Sequence, residues 1–238
     1  MRTAYTVFRN LYNVRKMTMK LVLASGSQRR RELLTMCGYD YEIIVSNADE
    51  TIDENDPESF VRALSFRKAK EVFDRLFAAG WRDFAVIGSD TVVAFQKDGE
   101  AKPVIIGKPK DAKDAVRILS MLSGKTHRVF TGVSVIADIS DENAAAQCSI
   151  REKAEIQTEC SITEVTFETL SPDEITDYVN SGDPLDKAGS YGIQGPFGMF
   201  VREIRGNYFT VIGMPIPVLY KMLKKIGILP HGFYERIE

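Results

Sequence analysis

A run of twelve residues at 84–95, FAVIGSDTVVAF, is apolar almost throughout and is broken by Ser89-Asp90-Thr91. Apolar character sustained over that length, with β-branched residues, reads as a buried strand with a polar interruption. Such a strand commits the chain to a sheet. Asp is disfavoured within strands, and a carboxylate set this deep in apolar sequence needs a partner, a metal or a task. The equal alternative is a strand-end Asp that hydrogen-bonds backbone in a turn.

The surrounding segments decide what kind of sheet. KLVLAS, 20–25, reads as a strand, 28–37 as a helix and YEIIVSN, 41–47, as a second strand. An acidic loop follows, and Pro57 opens a long helix to about residue 79. KDGE is a turn, and PVIIGKP returns as a short strand or loop. Asp111 begins a helix that ends near Gly124, and the β-branched 126–138 pairs with the alternating 155–169 across a polar loop, 139–154. Residues 171–182 form a helix with Ser171 as N-cap, Pro172 at the first position and Glu174 completing a capping box. A glycine-rich stretch at 189–198 precedes two expected strands, MFVREI and YFTVIG, joined by RGN. A final helix covers 215–226. Strands and helices alternate at first and hairpins dominate later, which predicts an α/β fold around a mixed sheet, in two lobes with a groove between them.

Length and charge exclude several classes. The 238 residues suffice for a substantial core, and 44% hydrophobic with 27% charged residues is ordinary for a globular chain. A net charge of −2 gives no global basic field for nucleic acid. The charge is uneven: residues 1–20 hold Arg2, Arg9, Arg15, Lys16 and Lys20 and no acid. That stretch has the basic, acid-free character of a transit peptide, with a loosely packed extension as the alternative and Met17 or Met19 as alternative starts. No apolar run approaches the ~20 residues that span a membrane. Cys37, Cys148 and Cys160 are odd in number and far apart, which speaks against disulfides and zinc and for a reducing compartment. The expected location is the cytoplasm, with mitochondria admitted by the basic N-terminus. His127 and His231 leave little room for His-based metal or triad chemistry.

Five stretches carry chemistry. In LASGSQRRRELL, 23–34, a Ser-Gly-Ser turn leads from strand to helix, Ser27 can cap it, and Arg29, Arg30 and Arg31 occupy a first turn where acids are favoured. A phosphate at that helix start would turn the arginines into an advantage. The alternative is that they reach solvent and pair with the acidic loop 49–56. Asp90 is the second. The acidic loop is the third: its Asp49, Glu50, Asp53, Glu54 and Asp56 are by default solvated, yet one of them can join Asp90 on a hard cation such as Mg²⁺. The fourth, DPLDKAGSYGIQG at 183–195, combines three glycines, Lys187 and the amide of Gln194. The fifth holds Lys108, in IIGKP, which alone reads as a surface lysine; for Lys68, in FRKAKEV, the solvent face of its helix is an equal alternative to a place in the site.

Together these stretches resemble the Maf-like family of nucleoside triphosphate pyrophosphatases. LASGSQRRRELL, ADET, FRKAKEV, VIGSDTVV, GKP, LSGKTHRVFTGV, DKAGSYGIQG and GNYFTVIGMP occur in the family's order from Leu21 to Lys225. The resemblance implies a catalytic domain at 20–226 between an extension at 1–19 and a tail at 227–238. It implies a mixed α/β fold of the Maf and inosine-triphosphatase kind, with an elongated central sheet, flanking helices and a cleft between two lobes, and in many members a homodimer. The implied activity is hydrolysis of a nucleoside triphosphate to monophosphate and pyrophosphate, as nucleotide-pool sanitising, with Mg²⁺ or alternatively Mn²⁺ or Co²⁺. Asp90 would be the base, Glu50 and Asp90 the metal ligands, and Ser25, Arg30, Lys68, Lys108 and Lys187 the triphosphate's surround. Arg29, Thr91 and Gln194 match the branch that prefers dTTP and UTP. Gln28 departs from the family's usual Pro, with little effect expected. A non-catalytic nucleotide-binding regulator is the rival reading, weakened by the presence of Asp90. A nucleic-acid binder is a third, weakened by the acidic remainder.

Overall fold

The computed structural model describes residues 19–97, 99–139 and 154–231. The expected extension at 1–19, the 139–154 loop and the 227–238 tail lie, but for their inner ends, outside the described residues, as does Cys148.

Among the described residues seven strands form one sheet in the order β2-β1-β3-β5-β6-β7, with β4 paired to β3 off that path. The strands are β1 (Lys20–Leu23), β2 (Glu42–Ile43), β3 (Phe84–Phe95), β4 (Val104–Ile106), β5 (Thr126–Asp138), β6 (Ala154–Phe167) and β7 (Val201–Arg205). β1 runs parallel to β2 and β3, while β3, β5, β6 and β7 pair antiparallel in turn. The fold is mixed α/β, with an open sheet flanked by helices: α1 (Gln28–Met36), α2 (Pro57–Ala78), α3 (Ala112–Leu122), α4 (Pro172–Asn180), α5 (Tyr208–Ile212) and α6 (Ile216–Lys225). Among the described residues no helix is long and apolar enough to cross a membrane.

β3 shows why the polar interruption falls where it does. Its first half contributes Ala85 and Ile87 to one hydrophobic cluster, shared with α1 and α6. Its second half contributes Val93 and Phe95 to another, shared with α3 and α4. Ser89-Asp90-Thr91 lies between the two. β5 repeats the pattern, with Val133 and Val135 in the first cluster, Val129 in the second and Thr131 between them. The strand thus passes from one core to another, and its polar residues mark the crossing.

On the opposite face α2 comes unusually close. A Cβ at Gly88 would stand 2.2 Å from the Ser65 carbonyl oxygen, and one at Gly132 the same distance from the Val61 carbonyl oxygen. These two glycines let helix backbone rest on strand backbone. The Ser65 hydroxyl, 2.9 Å from that of Ser134, pins the contact.

Two expected strands are corrected. YFTVIG is not a strand but α5: the Asn207 side chain caps it by accepting from the Phe209 N–H at 2.8 Å, and Gly213, with φ 110°, ends it. A side-chain cap and a left-handed terminus outweigh the strand preference of its aromatic and β-branched residues. Of 41–47, only Glu42–Ile43 is strand. Beyond it, α2 side chains take the backbone groups a ladder would have used: Arg75 donates to the Val45 carbonyl and the Asn47 N–H donates to Glu71, each at 3.0 Å. This steers the acidic loop back towards α2.

Candidate active site

A cavity of about 990 Å³ opens between the two clusters. Ile193 packs against both of them and lines it. Ser25, Arg29, Arg30, Glu50, Lys68, Asp90, Thr91, Lys108, Lys187 and Gln194 all line the same space. The ten residues that the family resemblance assigned to the site therefore all lie at this one cavity, although they span most of the chain, whereas Asp49, Asp53, Glu54 and Asp56 of the acidic loop do not line it.

The wall at β1 and α1 carries the arginines. Ser27 takes the N-cap position but makes no side-chain cap, contrary to expectation, and no acid lies in the first turn. Its N–H instead donates to Ser25 Oγ at 3.2 Å, folding the turn onto itself. Gln28 begins the helix without Pro and donates to Glu32 one turn on, at 2.8 Å. The three arginines part ways. Arg29 reaches Asp186 at 3.1 Å, across the cavity mouth. Arg30 turns inward: its Nε donates to the Gly213 carbonyl at 2.9 Å, Nη1 to Ser25 Oγ at 3.0 Å, and Nη2 approaches Thr91 Oγ1 at 3.5 Å. Burial lowers the Arg30 pKa from its ordinary value, and the nearby Asp90 charge opposes that shift. The Arg31 Nε is buried without a partner. None of the three pairs with the acidic loop. That loop is held by α2, with Arg67 donating to the Asp49 and Thr51 carbonyls at 2.8 and 2.7 Å.

Asp90 sits mid-strand, opposite Gly132 on β5, so the strand-end alternative does not apply. Its partner is Lys68. The close seat of α2 on Gly88 brings the Lys68 ammonium to 2.7 Å from Asp90 Oδ1, and Glu50 Oε1 lies 2.9 Å from the same nitrogen. Lys68 and Asp90 are nearly buried, with side chains 12% and 13% exposed, whereas Glu50 is 65% exposed. Lys68 is thus not on its helix's solvent face. Two carboxylates converging on one cationic point are hard oxygen donors, a set that suits a divalent cation such as Mg²⁺ completing its shell with phosphate oxygens and water. Among the described residues no group of three or more His, Cys, Asp or Glu side chains could hold a metal alone.

Thr91 Oγ1 lies 3.0 Å from Thr131 Oγ1, which donates to the Thr210 carbonyl at 2.7 Å. That leaves Thr131 only as an acceptor towards Thr91. The far wall is stitched by the Gly189 N–H, which donates to the Gly107 carbonyl at 3.0 Å and so sets Lys108 beside the 187–195 segment. Lys187 donates to the Asp183 carbonyl at 2.6 Å, Asp183 Oδ1 at 3.0 Å and Asp186 Oδ1 at 2.7 Å. Gln194 lies exposed on the same wall.

Asp183 and Asp186 are the residues that sequence reasoning passed over. Both were inside the stretch that supplied Lys187, four and one positions before it, and that proximity was the available signal. The Gly213 carbonyl, which receives Arg30 and lies 2.9 Å from Ser89 Oγ, had none, because the segment reads as strand.

The sequence model of the Maf-like protein family matches residues 20–226. A protein of Agathobacter rectalis named dTTP/UTP pyrophosphatase is 40% identical over 217 residues, which cover 88% of this chain and 98% of that one. A protein of the same name from Bacillus thuringiensis subsp. konkukian is 42% identical over 210 residues, covering 88% and 96%. Among solved structures, that of the Staphylococcus aureus Ham1 protein covers 86% of this chain and 98% of its own, at 15% identity and a TM-score of 0.46.

Proposed function

This chain belongs to the Maf-like family, and on that premise we propose that it hydrolyses dTTP and UTP to their monophosphates and pyrophosphate. The observation that carries the reading is the convergence of Arg30, Lys68, Lys108 and Lys187, from four separate segments, on one cavity that also holds Asp90. A triphosphate is the small anion that calls for so many cations at once, and phosphoryl transfer depends chiefly on positioning and electrostatic stabilisation.

In this reading Ser25, Arg30, Lys68, Lys108 and Lys187 bind the polyphosphate and exclude water from all but one face of the α-phosphorus. Asp90 orients a water there and takes its proton as the water oxygen bonds to phosphorus. The bond from the α-phosphorus to the bridging oxygen breaks, and pyrophosphate leaves with the electron pair, its charge met by the lysines. Glu50 and Asp90 would hold a divalent cation, which when bound adds further neutralisation of the phosphate oxygens. Arg29, Thr91 and Gln194 read the base. A Gln amide accepts from the pyrimidine N3–H and donates to O4, an edge that thymine and uracil share. Removal of non-canonical nucleotides from the pool is the role that fits this chemistry. The proposal extends to a homodimer, which sedimentation of the purified protein tests.

The direct test is a screen of purified protein against canonical and modified triphosphates, with pyrophosphate release as readout. dTTP and UTP are expected to lead. Asp90→Asn should lose about 10²- to 10⁴-fold in kcat, the range for a general base, while nucleotide affinity is retained. An Asp90→Asn enzyme that still turns over overthrows the base assignment. Nucleotide binding by wild type without pyrophosphate release would replace hydrolysis with a regulatory role.

A further inference from the structure

Tyr178 has no task in the account above. It projects from α4, is 6% exposed, and stands behind the cavity wall rather than on it. Its ring packs on Phe197 at a centroid distance of 4.8 Å. Its hydroxyl donates to Asp183 Oδ2 at 2.5 Å and accepts from the Gly192 N–H at 3.1 Å. Both directions are fixed by chemistry, because an ionised carboxylate only accepts and an N–H only donates. Burial, and then Asp183, raise the Tyr178 pKa, so the hydroxyl keeps its proton.

The two partners lead to two residues of the cavity's far wall, Lys187 and Gln194. Asp183 turns its other oxygen, Oδ1, to the Lys187 ammonium at 3.0 Å. Gly192 lies two residues before Gln194. The space in front of its Cα is filled by Lys187: a Cβ there would be 2.6 Å from Lys187 Cε and 2.9 Å from Cδ. A single buried hydroxyl therefore joins the carboxylate that holds Lys187 to the backbone that carries Gln194.

We infer that Tyr178 is a positioning residue for both ends of the nucleotide, fixing Lys187 for the polyphosphate through Asp183 and Gln194 for the base through the Gly192 N–H. The inference rests on the pyrophosphatase reading of the same cavity. Tyr178 touches no reacting atom. Its loss leaves the Gly192 N–H without an acceptor in a buried place, and the loop must shift to find one.

Tyr178→Phe removes one oxygen and keeps the ring. With dTTP and UTP, kcat/KM should fall about tenfold, mainly through KM, since both contacts are binding contacts. The preference for dTTP over dGTP should narrow severalfold, because Gln194 has lost its register. Calorimetric titration with dTMP, dGMP and inorganic pyrophosphate gives a second readout that does not depend on turnover, and there the dTMP preference and the pyrophosphate affinity should both weaken. Asp183→Asn separates the two arms. Its amide oxygen still accepts from Tyr178, so base preference should hold, but Lys187 loses a charged partner and pyrophosphate affinity should drop. A Tyr178→Phe enzyme with wild-type KM and selectivity overturns the inference. So does a loss of kcat shared equally by all nucleotides, which is what mere softening of the scaffold produces. If wild type releases no pyrophosphate, the hydrolytic reading fails, and the titrations alone decide Tyr178.

Discussion

Gly88→Ala puts the seating of α2 on β3 to the sharpest test. The added Cβ would meet the Ser65 carbonyl oxygen at 2.2 Å, the Ala69 nitrogen at 2.7 Å and Ala69 Cβ at 2.9 Å. Two of the three obstacles are backbone, so no rotamer change relieves them. Ordinary contact distances are about 3.5 Å, so the helix must retreat by roughly 1 Å or the strand must buckle. Overpacking of this kind costs about 2–3 kcal/mol, and at about 2–4 °C per kcal/mol for a domain of this size the melting temperature should fall by about 4–12 °C. The functional effect is separate and of similar size in free energy. Lys68 follows Ser65 by three positions and precedes Ala69 by one, so the segment pushed away is the one that holds its ammonium 2.7 Å from Asp90. A displacement of about 1 Å breaks that hydrogen bond, and misplacement of this size costs on the order of 10²-fold in rate. Scanning calorimetry gives the first quantity, and pyrophosphate release measured well below the transition gives the second. A variant that melts with wild type and turns over at its rate refutes the argument that this glycine sets the site.

Two further predictions concern opposed demands on stability. Ser27→Asp supplies the missing cap to α1 and an acid just before its first turn, so urea unfolding should show about 0.5–1 kcal/mol of added stability; because Ser27 lines the cavity, kcat/KM for dTTP should fall at the same time, and a gain in both would contradict the placing of polyphosphate at this helix start. His127 is 2% exposed, with Nε2 2.9 Å from the Tyr191 hydroxyl and Nδ1 unpartnered, and burial pushes its pKa from 6.5 down to about 3. The unfolded chain binds this proton below pH 6.5 and the folded one does not, so its contribution is intact above that pH and is lost as pH falls from 6.5 towards 3, at about 1.4 kcal/mol per unit. Unfolding free energy followed by urea titration across that window should lose this slope in His127→Gln, and an unchanged slope would assign the acid sensitivity elsewhere.

What was legible in the sequence follows the reach of each signal. FAVIGSDTVVAF and THRVFTGVSVIAD keep their apolar character over many residues, and both strands run to the expected ends at 84–95 and 126–138. The capping box of α4 is a local device and is present with both of its hydrogen bonds. YFTVI misleads because its helix is set by one Asn side chain and a glycine outside the segment, while every residue within it favours strand. At the site, cations and Asp90 were legible as chemical types in unusual surroundings. The links among them were not. Tyr178 on an amphipathic helix looks like any core aromatic, and nothing local to it foretells a bond to the Gly192 N–H fourteen residues away.

The acids around the cavity also explain how so many cations can share it before a ligand arrives. Lys68 is met by Glu50 and Asp90, Lys187 by Asp183 and Asp186, and Arg29 by Asp186. An incoming polyphosphate therefore exchanges one set of oxygen partners for another, and the ease of exchange depends on exposure. Glu50 and Asp186 are 65% and 67% exposed, and ion pairs in that setting are worth about 0–1 kcal/mol, so they yield readily to a multiply charged ligand. Asp90 and Lys68, at 13% and 12%, are in a different position. Taking either away from the other leaves a buried charge unpaired, which costs about 3–5 kcal/mol. Glu50 and Asp186 can release their cations while the buried pair stays, so Asp90 keeps its place beside the phosphates, seated where two cores meet and where the proposed reaction needs a base.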